Sequence, residues 1–162
     1  MMSLIWITST TNYFMILYLM NTFEQVYVCS TASSLSEMLA YLLTGYVLET
    51  AGIRKTYIGS FGMAFVGGVV LLGYGLEHQD SWTFILMVIL AKFGIVITQG
   101  VNYAAHPDIF PTLFSSTSFG YLVSLSYIFS SLSNMISRIP EPIPILIFSC
   151  SSAIGALVAY KL

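Results

Sequence analysis

Long apolar stretches alternate with short polar ones along the whole chain. An α-helix rises about 1.5 Å per residue, so about 20 apolar residues cross the roughly 30 Å hydrocarbon core of a bilayer. We therefore predict six transmembrane helices at about residues 4–20, 31–48, 57–76, 82–103, 116–135 and 143–160. The predicted fold class is an all-α integral membrane protein, with residues 1–162 forming a single six-helix bundle.

The composition supports this interpretation. Of 162 residues, 57% are hydrophobic and 7% are charged, whereas a soluble domain typically carries about 25% charged residues. A soluble globular protein is excluded, and the lipid bilayer is the first expected partner. The chain has no basic patch, so a nucleic acid partner is not expected.

A polar hinge, residues 45–55, separates the second and third predicted spans. It holds two of the five Lys and Arg residues of the chain, Arg54 and Lys55, together with Gly45, Glu49 and Gly52. Its charges can be interpreted as solvated loop charges that fix the topology. They can also be interpreted as a gating loop, in which an acid contacts a neighbouring helix in one conformation and releases it in another.

The cations also indicate an orientation. With a cytoplasmic N-terminus, Arg54, Lys55 and Lys161 lie inside and Arg138 lies outside, as the positive-inside rule favours. The acidic loop at residues 77–80 then lies outside. We expect a multi-pass protein of the plasma membrane rather than of an organelle.

Two charged residues fall inside predicted spans, Glu37 in the second and Lys92 in the fourth. A charge near the bilayer centre costs about 2.5 to 3.5 kcal/mol, so each needs a partner or a water-filled cavity. Both spans run inward from the outer surface, with Glu37 roughly 9 Å and Lys92 roughly 15 Å deep, a difference that a lysine side chain can bridge. The structural interpretation is that the two residues form an ion pair or that the lysine snorkels. The functional interpretation is that they line a solute pathway.

Other polar residues carry weaker signals. In the fifth span, Tyr127 and Ser124 are candidates for the solute pathway, and the nearby serines mark a face that we expect to be covered. Residues 106–112 are predicted to form a rigid turn with His106 as a surface loop residue. We find no metal-ligand spacing, cofactor motif or nucleophile constellation, so no enzyme activity, cofactor or metal is predicted.

The hinge resembles the loop motif of the major facilitator superfamily. That motif has a glycine, an apolar pair, an acid, an arginine, any residue, a second glycine, an arginine and then basic residues. Thr50 and Ile53 stand here where the family often has arginines. The matching positions are Gly45, Leu48, Glu49, Gly52, Arg54 and Lys55.

Three further stretches resemble the organic cation and anion transporter family more narrowly. The run Ser36-Glu37-Met38-Leu39-Ala40-Tyr41-Leu42-Leu43 is similar to that family's E-x-P-A-Y-L-L, without its proline. Lys92-Phe93-Gly94-Ile95 resembles its G-K-F-G-I, and Asp108-Ile109-Phe110-Pro111-Thr112 resembles its E-L-Y/F-P-T. The matches occur in the family's order and extend over nearly the whole chain.

This resemblance implies a major-facilitator-type half bundle, the C-terminal half of a twelve-helix transporter. The implied function is transport of a small organic solute or ion by alternating access. The implied partner is a second six-helix half or another copy of the chain. Two departures stand against charge-based substrate selection: Ser115 and Ser116 replace an Arg-Asn pair, and the fifth span reads Tyr127-Ile128-Phe129-Ser130 where the family has a charged, glycine-rich segment.

An alternative of another class is a non-transporting membrane scaffold or subunit derived from a transporter half. The changed fifth span favours this alternative. The hinge and the Glu37 and Lys92 pair favour transport.

Overall fold

A computed structural model describes residues 1–20, 26–74, 82–136, 139 and 143–161. Across these residues the chain is α-helical. The helices are α1 (Met2–Met20), α2 (Val26–Ala51), α3 (Ile53–Tyr74), α4 (Trp82–Ile109), α5 (Thr112–Ile136) and α6 (Ile143–Tyr160). The predicted loop at residues 77–80 and the cation Arg138 lie outside the described residues.

Within the described residues, each predicted span falls on one of these helices, while residues 75 and 76 of the third span lie outside the described residues. Several helices are longer than predicted. At the hinge, α2 continues to Ala51 and α3 begins at Ile53, so a single residue separates them. The turn predicted at residues 106–112 is also wrong in part, because α4 continues through Pro107 to Ile109. Membrane helices tolerate proline where neighbouring groups satisfy the freed backbone carbonyl.

The helices pack in a definite order. Helix α3 packs mainly against α4 and α6, while α1 packs against α5, α6 and α4. Helix α2 packs mainly on α4, and α5 packs mainly on α1. Helices α2 and α5 therefore form the two edges of the described bundle.

Small residues allow α3 and α4 to approach closely. A Cβ atom added to Gly94 would lie 2.7 Å from the backbone oxygen of Ser60 and 2.9 Å from the backbone nitrogen of Ala64. Ser60, Ala64 and Gly68 recur at every fourth position of α3, and all are buried. Small residues at such spacing allow membrane helices to approach closely.

Polar side chains inside the bundle bond across helices. The Tyr57 hydroxyl donates to Asn102 Oδ1 at 2.8 Å, and Asn102 Nδ2 donates to Ser9 Oγ at 2.7 Å, which joins α3, α4 and α1. The Asn12 amide donates to Ser152 Oγ at 3.0 Å and joins α1 to α6. These bonds satisfy groups that would be costly to leave unpaired in hydrocarbon.

Three helical segments of the described chain are long and apolar enough to cross a membrane by length and composition: Ile53–Gly73, Leu86–Ile109 and Ile143–Tyr160. Helices α1 and α5 carry more polar residues, and many of these are buried inside the bundle, among them Ser9, Asn12 and Ser133. A polar residue that faces the bundle lowers the hydropathy of a helix without facing lipid. The six-span topology remains a proposal for α1, α2 and α5.

Candidate functional site

Glu37 on α2 and Lys92 on α4 form an ion pair. The Lys92 Nζ atom lies 3.0 Å from Glu37 Oε1, and the two side chains are 2% and 22% exposed. The prediction that the two residues approach each other is confirmed. Each charge offsets the cost of placing the other away from water.

Two hydroxyl groups complete this cluster. The Tyr13 hydroxyl on α1 donates to Glu37 Oε1 at 2.7 Å. The Lys92 ammonium donates to Ser33 Oγ on α2 and lies 5.7 Å from the centre of the Tyr13 ring. Helices α1, α2 and α4 are therefore tied together at one point, which we call the ion-pair cluster: Tyr13, Ser33, Glu37 and Lys92.

A cavity of about 190 Å³ adjoins the ion-pair cluster. Its wall is mainly aromatic, with hydroxyl and amide groups between the rings. The lining residues are Thr10, Tyr13, Phe14, Tyr41, Gln99, Tyr103, Ser126 and Tyr127. Tyr13 belongs to both features, so a molecule in the cavity would contact a residue bonded to Glu37.

The cavity is lined by one of the two fifth-span residues that were predicted to face a solute pathway. Tyr127 lines it and packs against Phe14, with ring centres 6.0 Å apart. Ser124 is exposed on α5 and does not line this cavity, whereas Ser126 does. The Ser126 hydroxyl donates to the Val123 backbone oxygen at 2.8 Å. A role for Ser124 or Tyr127 in a solute pathway remains a prediction.

Sequence analysis missed most of this wall. Tyr13, Tyr41 and Gln99 lie on different helices, and no spacing within one helix indicates that they converge. A usable signal was present, because a polar residue inside a span usually faces the bundle interior and bonds across helices. Asn12, Gln99 and Asn102 all meet this description and are buried.

The hinge is a sharp junction rather than a loop. Gly52 has a φ of 80°, a left-handed conformation that glycine adopts readily. Its N–H donates to the Leu48 oxygen at 3.0 Å, and its oxygen accepts from the Thr56 N–H at 3.1 Å. Gly45 and Glu49 are exposed on the last turns of α2.

The cations of the hinge differ in their contacts. Arg54 donates to the Tyr160 backbone oxygen at the end of α6, and its guanidinium carbon lies 5.0 Å from the centre of the Tyr160 ring. Lys55 is exposed. Glu49 forms no ion pair within the described residues. The gating role of the hinge therefore stays a prediction.

His106 is not the surface loop residue that was predicted. It is 2% exposed and lies in the last turn of α4. Its Nε2 atom is 3.0 Å from the Ser115 backbone oxygen, which can only accept, so Nε2 carries the proton. The ring stacks on Phe110, with centres 4.7 Å apart. His106 thus fixes the junction between α4 and α5.

No protein-family model matches the chain. The chain is similar to organic cation/carnitine transporter 4 of Arabidopsis thaliana, with 22% identity over 144 residues that make up 88% of this chain and 27% of the relative. It is also similar to solute carrier family 22 member 4 of Mus musculus, with 28% identity over 118 residues, 72% of this chain and 21% of the relative. The chain spans about a quarter of the length of these curated relatives.

These similarities cover most of the chain, and they confirm the resemblance found from the sequence motifs. The chain is a distant homologue of organic cation transporters. Its apolar helices and these relatives together support a multi-pass membrane protein. The relatives are named as transporters and not as enzymes, in agreement with the expected absence of enzyme activity.

Proposed function

We propose that this distant homologue of organic cation transporters forms one six-helix half of a solute transporter and contributes one wall of its solute pathway. Transport proceeds by alternating access, with a second six-helix unit forming the opposite wall. The observation that carries the proposal is the aromatic cavity beside the ion-pair cluster, joined to it through Tyr13.

The position of the cavity supports a second unit. The aromatic rings of its wall belong to α1, α2, α4 and α5. The rings on α2, α4 and α5 are partly exposed: Tyr41, Tyr103 and Tyr127. Tyr127 is 51% exposed. In an isolated bundle these hydroxyl groups would face lipid, which is unfavourable without hydrogen-bond partners. A second bundle between the edge helices α2 and α5 would enclose them together with the solute.

The wall favours a small organic cation as the solute. Aromatic faces attract a cation at about 6 Å, most strongly where water is excluded. The Glu37 charge is offset by Lys92 at 3.0 Å, so the rings rather than a free carboxylate carry the attraction. The name of the Arabidopsis relative, an organic cation/carnitine transporter, agrees with this choice.

Reconstitution tests the proposal. The purified chain, alone and with a candidate six-helix partner, is placed in liposomes, its oligomeric state is determined, and uptake of radiolabelled tetraethylammonium is measured. We expect saturable uptake only from a paired assembly. Tyr127→Ala should reduce that uptake about tenfold, the loss of roughly 1.4 kcal/mol of binding, while Glu77→Gln should leave it unchanged. Saturable uptake by a demonstrated monomer would contradict the proposal.

The second candidate function is a membrane scaffold or subunit. It is favoured by Ser115 and Ser116 and by the uncharged segment Tyr127-Ile128-Phe129-Ser130. A scaffold would still pair with a partner but would give no uptake in the paired assembly. The same reconstitution therefore separates the two functions.

A further inference from the structure

Three cations lie at the end of the bundle that contains Gly52, which we call the hinge end. Arg54 near the start of α3 donates to the Tyr160 oxygen at the end of α6, and Lys161 is the next residue after Tyr160. Lys55 follows Arg54 in the chain. All three cationic side chains are exposed. The contact between α3 and α6 thus places Lys161 at the same end of the bundle as Arg54 and Lys55, although they are about 100 residues apart in sequence.

These cations are free to bind an anion from outside the described chain. The one ion pair found among the described residues joins Lys92 to Glu37 and involves none of the three. Two exposed acids, Glu49 near the end of α2 and Asp108 near the end of α4, make no ion pair with them. The positive charge of this group is therefore not neutralised by contacts within the described residues.

Exposed apolar stripes lead along both helices to the cations. On α3, Met63 and Val66 are exposed on the same face as Gly59 and Lys55, at spacings of three and four residues. On α6, Ile154, Leu157 and Lys161 follow the same spacing, and all are exposed. Such faces suit acyl chains, with the cations at the level of the headgroups.

The ring between the stripes and the cations also fits a membrane interface. Tyr160 is 64% exposed, and its ring lies beneath the Arg54 guanidinium. Tyrosine is enriched at membrane interfaces because its ring is apolar and its hydroxyl is polar. The stack holds the Arg54 guanidinium in place, which leaves its remaining N–H groups for oxygen ligands.

We propose that Arg54, Lys55 and Lys161 form a binding site for the headgroup of an anionic phospholipid, whose acyl chains lie along α3 and α6. Basic pockets between membrane helices bind such headgroups through charge and hydrogen bonds to the phosphate. This site shares no residue with the ion-pair cluster, and it does not depend on the proposed transport function. An anionic lipid bound here would connect the ends of α3 and α6.

Native mass spectrometry of the full chain in a mild detergent tests the site. The chain is given an equimolar mixture of phosphatidylserine and phosphatidylcholine, and the ratio of the two retained lipids is measured. We expect phosphatidylserine to be preferred. Each cation removed should lower the preference about fivefold, since a cation near an anionic surface contributes about that factor. The triple variant Arg54→Gln, Lys55→Gln and Lys161→Gln should abolish the preference.

Two control variants and one competitor make the result specific. Arg138→Gln removes one cation elsewhere and should preserve the preference, as should the charge-retaining pair Lys55→Arg and Lys161→Arg. Equal retention of both lipids, or a triple variant with the preference of the original chain, would overturn the proposal. Displacement of phosphatidylserine by millimolar inorganic phosphate would also overturn it, because the site would then bind a free anion rather than a lipid.

Discussion

The Lys92 Nζ atom on α4 lies 3.0 Å from Glu37 Oε1 on α2, and the lysine side chain is 2% exposed. An ammonium group so deeply buried is stable only with its counter-charge and its hydrogen bonds in place. Because Tyr13 on α1 donates a hydrogen bond to Glu37 and Ser33 on α2 accepts one from the Lys92 ammonium, the charge pair and the helix arrangement depend on each other.

Removing one partner of this pair should destabilise the protein more than removing both. Glu37→Gln leaves the Lys92 ammonium buried without a counter-charge and should cost about 3 to 5 kcal/mol. The double variant Glu37→Gln and Lys92→Met should cost less than the two single changes added together. Unfolding of the four proteins in detergent micelles measures this coupling.

An exposed pair of charges provides the control for this cycle. Glu49→Gln with Lys55→Met makes the same chemical changes on exposed side chains, and we expect effects within about 0.5 kcal/mol. Additive single effects at Glu37 and Lys92 would show that the two charges do not stabilise each other.

Tyr13→Phe should distinguish the contribution of the Tyr13 hydroxyl to stability from the contribution of its ring. The variant loses the 2.7 Å hydrogen bond to Glu37 but retains an aromatic side chain at the cavity. We expect a loss of about 1 kcal/mol, the usual net value of such a bond. Tyr46→Phe, at an exposed ring on α2, is the matched control and should be neutral. If both variants unfold alike, the hydroxyl of Tyr13 does not support the ion-pair cluster.

Hydropathy located segments that overlap α1 to α6 within the described residues, and three of these helices are long and apolar enough to cross a membrane. It also identified Glu37 and Lys92, since charges inside spans are rare and need partners. Their pairing was expected from their similar predicted depths in the membrane, because both lie on helices predicted to run inward from the outer surface. These predictions depended on one-dimensional properties of the chain.

The wall of the cavity could not be predicted in the same way. Tyr13, Gln99 and Tyr127 come from three helices, and their convergence depends on how α1, α4 and α5 are rotated against one another. His106 was misplaced for a related reason: a polar residue beside proline is typical of a turn, yet the helix continues and the Ser115 oxygen bonds to the His106 Nε2 atom. Rotation and helix continuation are decided by tertiary contacts.

Gly94→Ala should disturb the packing of α3 against α4. The added Cβ atom would lie 2.7 Å from the Ser60 oxygen, a backbone atom that cannot rotate away. Overpacking of this kind costs about 1 to 3 kcal/mol. Gly62→Ala is the control, because no atom lies within 4 Å of its added Cβ, and it should stabilise α3 by up to about 1 kcal/mol. Thermal unfolding in detergent should therefore shift in opposite directions for the two variants.

Cysteine labelling should establish the orientation. With Cys29 and Cys150 replaced by serine, we expect Gln79→Cys to react with an impermeant maleimide in sealed cells. Lys55→Cys should react only after permeabilisation, because cations are enriched on the cytoplasmic side of membrane proteins. The reverse pattern at both positions would show that the N-terminus is not cytoplasmic.

The junction between α2 and α3 should depend on Gly52 far more than on Gly45, although both belong to the predicted hinge. Gly52 has a φ of 80°, and a side chain in this left-handed region costs about 1 to 2 kcal/mol. A Cβ atom at Gly45 would meet no atom within 4 Å, and alanine inside a helix is favoured over glycine by up to about 1 kcal/mol. Gly52→Ala should therefore lower the unfolding temperature in detergent, while Gly45→Ala should leave it unchanged or raise it. Equal destabilisation by both variants would show that the left-handed backbone at Gly52 is not what makes this junction sensitive to substitution.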